Sequence, residues 1–296
     1  MIDATETWFS ETLHPGFQQR FEISKILFRS QTELQDLVIF QNPYFGRILA
    51  LDGVIQTTER DEPCYHEMLA HVPILSHGKA TEVLIIGGGD GGALRDVLKH
   101  RTVERATMVE IDRSVVDMCA EYMPSLSDGA FDDPRADLVI ADGARFIAET
   151  DKRFDVIKFV KESDRRFDVI IIDSTDPIGP AIPLFSDDFY ADCRNILTDD
   201  GIVVCQSGVG FVQPDEARET YQRLARLFDD AALYLTQVPT YAFGYMTLGW
   251  GAKSDRARKT DAQTIRNRFD AAGIATRYYT PGIHGGCFNL PAYMEL

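Results

Sequence analysis

Residues 83–92 read VLIIGGGDGG, an unbroken apolar run that ends in a glycine-rich turn carrying one aspartate, Asp90. With no polar residue alternating through it, the run reads as a strand buried on both faces. The stretch ALRDVLKH that follows has a helical pattern. Strand, glycine turn and helix in this order open a nucleoside- or dinucleotide-binding α/β unit, in which the glycines allow a tight turn and a close backbone approach to a ligand. Glu110 ends the next apolar run, ATMVEID, about twenty residues on, where an acid can bind both hydroxyls of a ribose.

The same grammar continues outward. A helix is expected over Ser114–Tyr122, strands in DLVIADG, FDVIIIDSTDP and GIVVCQSG, and another helix over Asp215–Phe228. Continuous apolar strands alternating with helices imply a parallel sheet covered on both faces, with ligands at the carboxyl ends of the strands. On the amino-terminal side, Met68, Leu69 and Val72 recur at helical spacing within Glu62–Leu75. Before them, FEISKILFRS, LQDLVIFQN and RILALDGVIQTT read as strands broken at Asn42-Pro43 and Asp52-Gly53. The division falls into a small β domain over residues 1–77 and a doubly wound α/β domain over 78–296. One irregularity interrupts it: Arg145–Ile157 and Lys158–Ile170 are a tandem duplication, with eight of thirteen pairs identical. Only the second copy runs directly into the apolar IIDSTDP, so it is expected to supply the strand. The first makes a longer helix or a surface excursion.

Composition narrows the partners. Of 296 residues, 45% are hydrophobic and 26% charged, enough for a packed core. The start carries no basic region followed by an apolar run, and no stretch approaches the roughly 20 residues of a membrane span. Five scattered cysteines without CxxC or His-rich spacing fit reduced thiols in a cytoplasmic protein with no metal site. A formal charge of −16 makes nucleic acid and anionic lipid poor partners and favours a small cation.

Asp90 separates the possible ligands. A pyrophosphate on the helix N-terminus needs donors, and two like charges about 4 Å apart repel by roughly 4 kcal/mol at an effective dielectric of 20. The turn therefore suits a ligand that presents a cation, and Asp90 can also cap the helix. A dinucleotide oxidoreductase ranks last on this ground. Asp142-Gly143 closes the third strand, where an acid can accept from an adenine amino group; a plain turn is the alternative. Asp173 and Asp176 end the fourth strand in a turn stiffened by Pro177 and Pro180. Such a pair can bind a diamine at one end and take a proton from its nucleophilic nitrogen at the other. Tyr65 and Tyr241 can wall an aliphatic diamine, with His66 beside them.

The chain resembles the spermidine synthases of the polyamine aminopropyltransferase family along nearly its full length. The resemblance rests on WFSETLHPGF, LQDLVIFQN, GRILALDGVIQTTERDE, YHEM, VLIIGGGDGG, VEID, DDPR, DSTDPIGP, PTY and YYTPGIH. It implies a Rossmann-like, methyltransferase-type fold and a homodimer or homotetramer. It implies transfer of an aminopropyl group from decarboxylated S-adenosylmethionine, a co-substrate with no further cofactor, to putrescine. Gln35, Glu110, Asp142, Gly143 and Pro180 would contact the thioadenosine part, and Asp90 the aminopropyl amine. Asp173 would be the proton acceptor, with Tyr65, His66, Ser174, Thr175, Asp176, Gln206 and Tyr241 around the polyamine. An S-adenosylmethionine-dependent amine methyltransferase and a non-catalytic polyamine-binding protein of the same fold are the other readings. The duplication and His66, a glutamine in some members, are the two departures.

Overall fold

In the computed structural model, which describes residues 7–31, 34–140, 159–160, 163–177 and 179–294, the chain opens with a short antiparallel hairpin. Its strands are β1 (Trp8–Glu11) and β2 (Gln19–Glu22). An antiparallel meander follows: β3 (Lys25–Gln31), β4 (Asp36–Asn42), β5 (Gly46–Leu51) and β6 (Val54–Thr58). The turns form where their residues demand. Asn42 accepts from the backbone N–H groups of Tyr44 and Phe45, and Asp52 and Gly53 take positive φ of 49° and 80° between β5 and β6. One face of the meander packs Val38, Phe40 and Ile48 against Phe9 and Phe21 of the hairpin. The other, with Leu37, Ile39 and Leu49, packs against Val115 and Cys119 of the larger domain.

Helix α1 (Glu62–His77) starts with Pro63 in its first turn and ends on Gly78 at φ 81°. Fourteen of its 16 residues are buried, so it is a core helix rather than an amphipathic surface one. Its apolar residues share one cluster with Val83, Ile85, Val169 and Val204 of the large sheet. By packing, α1 therefore goes with the α/β layer, although it precedes the division drawn after residue 77.

That layer contains β7 (Glu82–Gly87), α2 (Gly92–Leu98), β8 (Arg105–Glu110), α3 (Arg113–Tyr122), the short α4 (Pro124–Ser127), β9 (Ala136–Ile140) and β10 (Phe167–Asp173). It continues with α5 (Asp187–Ile196), β11 (Leu197–Val209), α6 (Pro214–Leu227), β12 (Asp230–Gln237), β13 (Tyr245–Ala252), α7 (Ala262–Ala272) and α8 (Pro281–Gly286). The strands lie in the order β12-β13-β11-β10-β7-β8-β9. Pairing is parallel from β11 to β9, as the alternation of strands and helices requires. It is antiparallel where β13 pairs with β11 and β12, with β12 and β13 lying beyond the strands read from the sequence. The physical reason is the connection: residues 238–244 are too few for a crossover, so β13 must return beside β12. Strand β10 comes from the second copy of the duplication, as its direct run into the apolar segment implied; the first copy, 145–157, lies outside the described residues. Among the described residues no helix is long and apolar enough to cross a membrane.

The carboxyl-terminal segment is fastened by one buried side chain. Glu67 on α1 accepts from the backbone N–H groups of Arg277, Tyr278 and Tyr279 at 2.7–2.8 Å. Glu67→Ala leaves those three donors without their acceptor and is expected to cost roughly 3–5 kcal/mol, given about 1–3 kcal/mol for an unsatisfied buried group. Chemical denaturation measures it, and a loss below about 1 kcal/mol contradicts this account of the anchor.

Candidate active site

A cavity of about 530 Å³ opens at the carboxyl ends of β7, β8, β10 and β11, where the strand order reverses. Its floor exists because two glycines let chains meet. Gly87 and Gly88 take φ of 82° and 73°, and a Cβ on Gly87 would lie 2.2 Å from the Asp173 carbonyl oxygen. The Gly88 N–H donates to that same oxygen at 2.9 Å. The glycine turn is thereby pressed onto the end of β10, and Asp90 and Asp173 line one cavity.

At the glycine-turn end, Asp90 is only 9% exposed. One carboxylate oxygen accepts the Gly92 N–H at 2.8 Å, so it helps to cap α2. The other lies 3.4 Å from His66 Nε2. Capping and ligand binding are therefore compatible roles. Glu110 holds Oε1 on the backbone N–H groups of Ile111 and Asp112. Burial pushes its carboxyl up to about 7, against those two hydrogen bonds and with the help of the charges on Asp112 and Asp173. Gln35 Nε2 donates to Asp112 at 2.8 Å and ties the loop before β4 to this end of the cavity. Pro180 belongs to the 3₁₀ turn Gly179–Phe185, which reaches the cavity at Ala181, Pro183 and Leu184. Asp142 and Gly143 lie outside the described residues.

At the end of β10, the Tyr65 hydroxyl donates to Asp173 Oδ1 at 2.9 Å, and the Tyr65 and Tyr241 rings meet edge to face. Tyr241 is fixed in turn by its hydroxyl, which donates to the Gln56 carbonyl at 2.6 Å. Burial pushes Asp173 up to about 6; the charge of Asp90 adds to this, while His66 and the Tyr65 hydrogen bond work against it. A carboxyl poised there is ionised at neutral pH yet basic enough to take a proton. Ser174 and Thr175 line the same wall, and Gln206 spans it, donating to the Thr175 carbonyl and accepting from the Gly208 N–H. Asp176 accepts from Gln213 Nε2 at 3.1 Å, and the same amide reaches Glu216.

Three groups at this end went unread in the sequence. Glu11 reaches the cavity from β1 and holds the Ile55 N–H and Gln19 Nε2; burial raises its pKa, helped by the charge of Asp176. Glu216 is pushed up to about 8 by burial and by Asp176 and Glu219. Gln213 links it to Asp176. Glu11 sits inside WFSETLHPGF, so a signal existed, but no local chemistry pointed from a strand some 160 residues away to the DSTDP turn. Glu11 and Asp176, both lining the cavity with raised pKa values, favour a cationic guest. Among the described residues no group of three His, Cys, Asp or Glu side chains could hold a metal ion.

Comparisons with known proteins identify the family. The model of the spermine/spermidine synthase domain matches residues 62–160 and 157–261, and that of the spermidine synthase tetramerisation domain matches residues 7–59. The two synthase matches overlap at 157–160, where the duplicated copies adjoin. Polyamine aminopropyltransferase 1 of Pseudomonas aeruginosa is 55% identical over 97% of this chain and 96% of its own. The polyamine aminopropyltransferase of a Ruegeria species is 53% identical over 98% of each. A spermidine synthase solved in complex with the transition-state analogue AdoDATO superposes with a TM-score of 0.88 at 35% identity, over 98% of this chain and 94% of that one. The spermidine synthase of Thermotoga maritima gives 0.85 at 34% identity, over 98% and 93%. On these matches and this site, the chain belongs to the spermine/spermidine synthase family and is an aminopropyl-transferring enzyme.

Proposed function

We propose that the enzyme transfers the aminopropyl group of decarboxylated S-adenosylmethionine to putrescine, giving spermidine and methylthioadenosine, with Asp173 as the proton acceptor. The observation that carries the reading is the pair of buried Asp90 and half-buried Asp173 on the single wall formed by the glycine turn and the end of β10. Asp90 suits the ammonium of the decarboxylated donor. The intact donor would bring a carboxylate against it, and like charges at about 4 Å oppose that by roughly 4 kcal/mol at an effective dielectric of 20. Methyl transfer is disfavoured for this reason.

The thioadenosine lies towards Glu110 and Gln35, with Asp142, Gly143 and Pro180 as further contacts. The putrescine lies between Tyr65 and Tyr241, with His66, Ser174, Thr175 and Gln206 around it. Its distal ammonium points to Asp176 and Glu11, whose raised pKa values fall back when a cation arrives, with Glu216 behind them on Gln213. At the other end, Asp173 takes a proton from the attacking nitrogen. The neutral amine forms a C–N bond to the propyl carbon while the C–S bond breaks, and the electron pair stays on sulfur, which is thereby neutralised. Placement and deprotonation are what the protein supplies. The assembly is a homodimer or homotetramer, supported by the match of residues 7–59 to a tetramerisation model. A cytoplasmic setting is consistent with five free thiols, Cys64, Cys119, Cys193, Cys205 and Cys287.

Incubation with the decarboxylated donor and putrescine is expected to release methylthioadenosine and spermidine in equal amounts; folded enzyme that yields neither rules the reading out. Asp173→Asn is expected to lower kcat by roughly 10²–10⁴-fold, the usual worth of a general base, and to change methylthioadenosine binding only a few-fold. In the wild type, kcat/KM falls as pH drops through about 6, because protonated Asp173 cannot accept the proton. Glu110→Gln keeps the shape but removes the charge, and calorimetry is expected to show methylthioadenosine bound roughly 10-fold more weakly or worse.

A further inference from the structure

His66 is the one imidazole at the cavity wall whose two nitrogens both face acids. Nδ1 lies 2.8 Å from Glu62 Oε2 and Nε2 lies 3.4 Å from Asp90 Oδ2, with the ring 2% exposed. Glu62 can act only as an ionised acceptor. Arg95 reaches both of its oxygens, at 3.1 and 2.8 Å, and Arg277 of the carboxyl-terminal segment adds a further contact. Burial works against that ionisation, but the hydrogen bonds and charges of His66 and Arg95 hold the group down at about 2. Asp90 already accepts the Gly92 N–H on its other oxygen. Between two such acceptors the ring is served best as a double donor, and the pair of acids raises its pKa well above the ordinary value although burial opposes this.

The ring also has a place kept for it. A Cβ on Gly92 would stand 2.3 Å from His66 Cε1 and Nδ1, and Gly92 has no positive φ to explain it. The last glycine of the GGGDGG turn is therefore there for the histidine rather than for the backbone or the ligand.

We propose that Glu62, which does not line the cavity, is a positioning residue for the reaction: it keeps His66 doubly protonated, so that Nε2–H orients Asp90 and the imidazolium charge keeps the nearby base Asp173 ionised. The proposal rests on the aminopropyl transfer proposed above. The groups that face His66 are Glu62 and Tyr65 on its own helix, Asp90 from the glycine turn and Asp173 from β10, while Arg95 of α2 and Arg277 act on it through Glu62. Of these, Asp90 opposes ionisation of Asp173, while His66 promotes it. Removing the imidazolium charge therefore raises the pH at which Asp173 becomes available, and a change at Glu62 does so from outside the cavity.

The test is the pH profile of kcat/KM for decarboxylated donor and putrescine in Glu62→Gln and His66→Gln, with methylthioadenosine binding and melting temperature followed in parallel. Both variants are expected to move the acid limb to higher pH, by about one pH unit, with methylthioadenosine affinity kept within a few-fold; recovery of activity on the alkaline side is expected of Glu62→Gln alone, because His66 itself borders the putrescine. A limb in the wild-type position, with kcat lowered evenly at all pH, makes Glu62 a structural residue only and overturns the proposal. Nitrogen-15 histidine NMR of the wild type covers the case in which Glu62→Gln does not fold. A doubly protonated His66 ring at pH 8 is expected, and a neutral ring there also overturns it. Absence of aminopropyl transfer by the wild type at any pH would instead remove the underlying function, so the two failures are distinguishable.

Discussion

An interior that admits no unpaired charge receives, on α1, two glutamates and several histidines, and much of the molecule is arranged around the partners they require. Glu62 draws Arg95 from α2 and Arg277 from the carboxyl terminus, while Glu67 collects three consecutive backbone donors from the same terminal segment. A helix so deeply buried is usually apolar all round. Here each charge that enters fastens another part of the chain. The helix thus joins three things distant in sequence: the glycine turn, the end of the chain and the wall on which Tyr65 meets Asp173.

From that arrangement the two ends of the cavity acquire different characters. Near the glycine turn, the negative charge of Asp90 is partly offset by His66. Near the DSTDP turn, Asp176, Glu11 and Glu216 have amide and backbone donors beside them, and burial raises all three pKa values. Each end therefore offers a counter-charge to a cation, and under the proposed reaction the two ends serve two different molecules. Neutral or anionic guests leave one end or both without a counter-charge.

The sequence carried the parts of this that are local. A strand, a glycine turn and an acid at the next strand end are read from contiguous residues, and so was the choice of the second duplicated copy as β10, since only it continues into an apolar run. The edge of the sheet was less legible, because the direction of β13 depends on the length of the link before it and on what it packs against. Glu11 was missed for a stronger reason: it touches Asp176's surroundings only after the hairpin folds over the cavity. Gly92 shows a third kind of failure. The motif was read wholly as a ligand turn, yet one of its glycines answers to a ring on a different helix.

That last contact has a historical consequence. While an imidazole occupies position 66, any side chain at position 92 collides with it, so the two sites are bound to change in a fixed order. A lineage that first exchanges the ring for a slimmer amide frees position 92 to drift; one that alters position 92 first meets a barrier. Among descendants, diversity at the end of the glycine turn should therefore cluster where the histidine has already been lost.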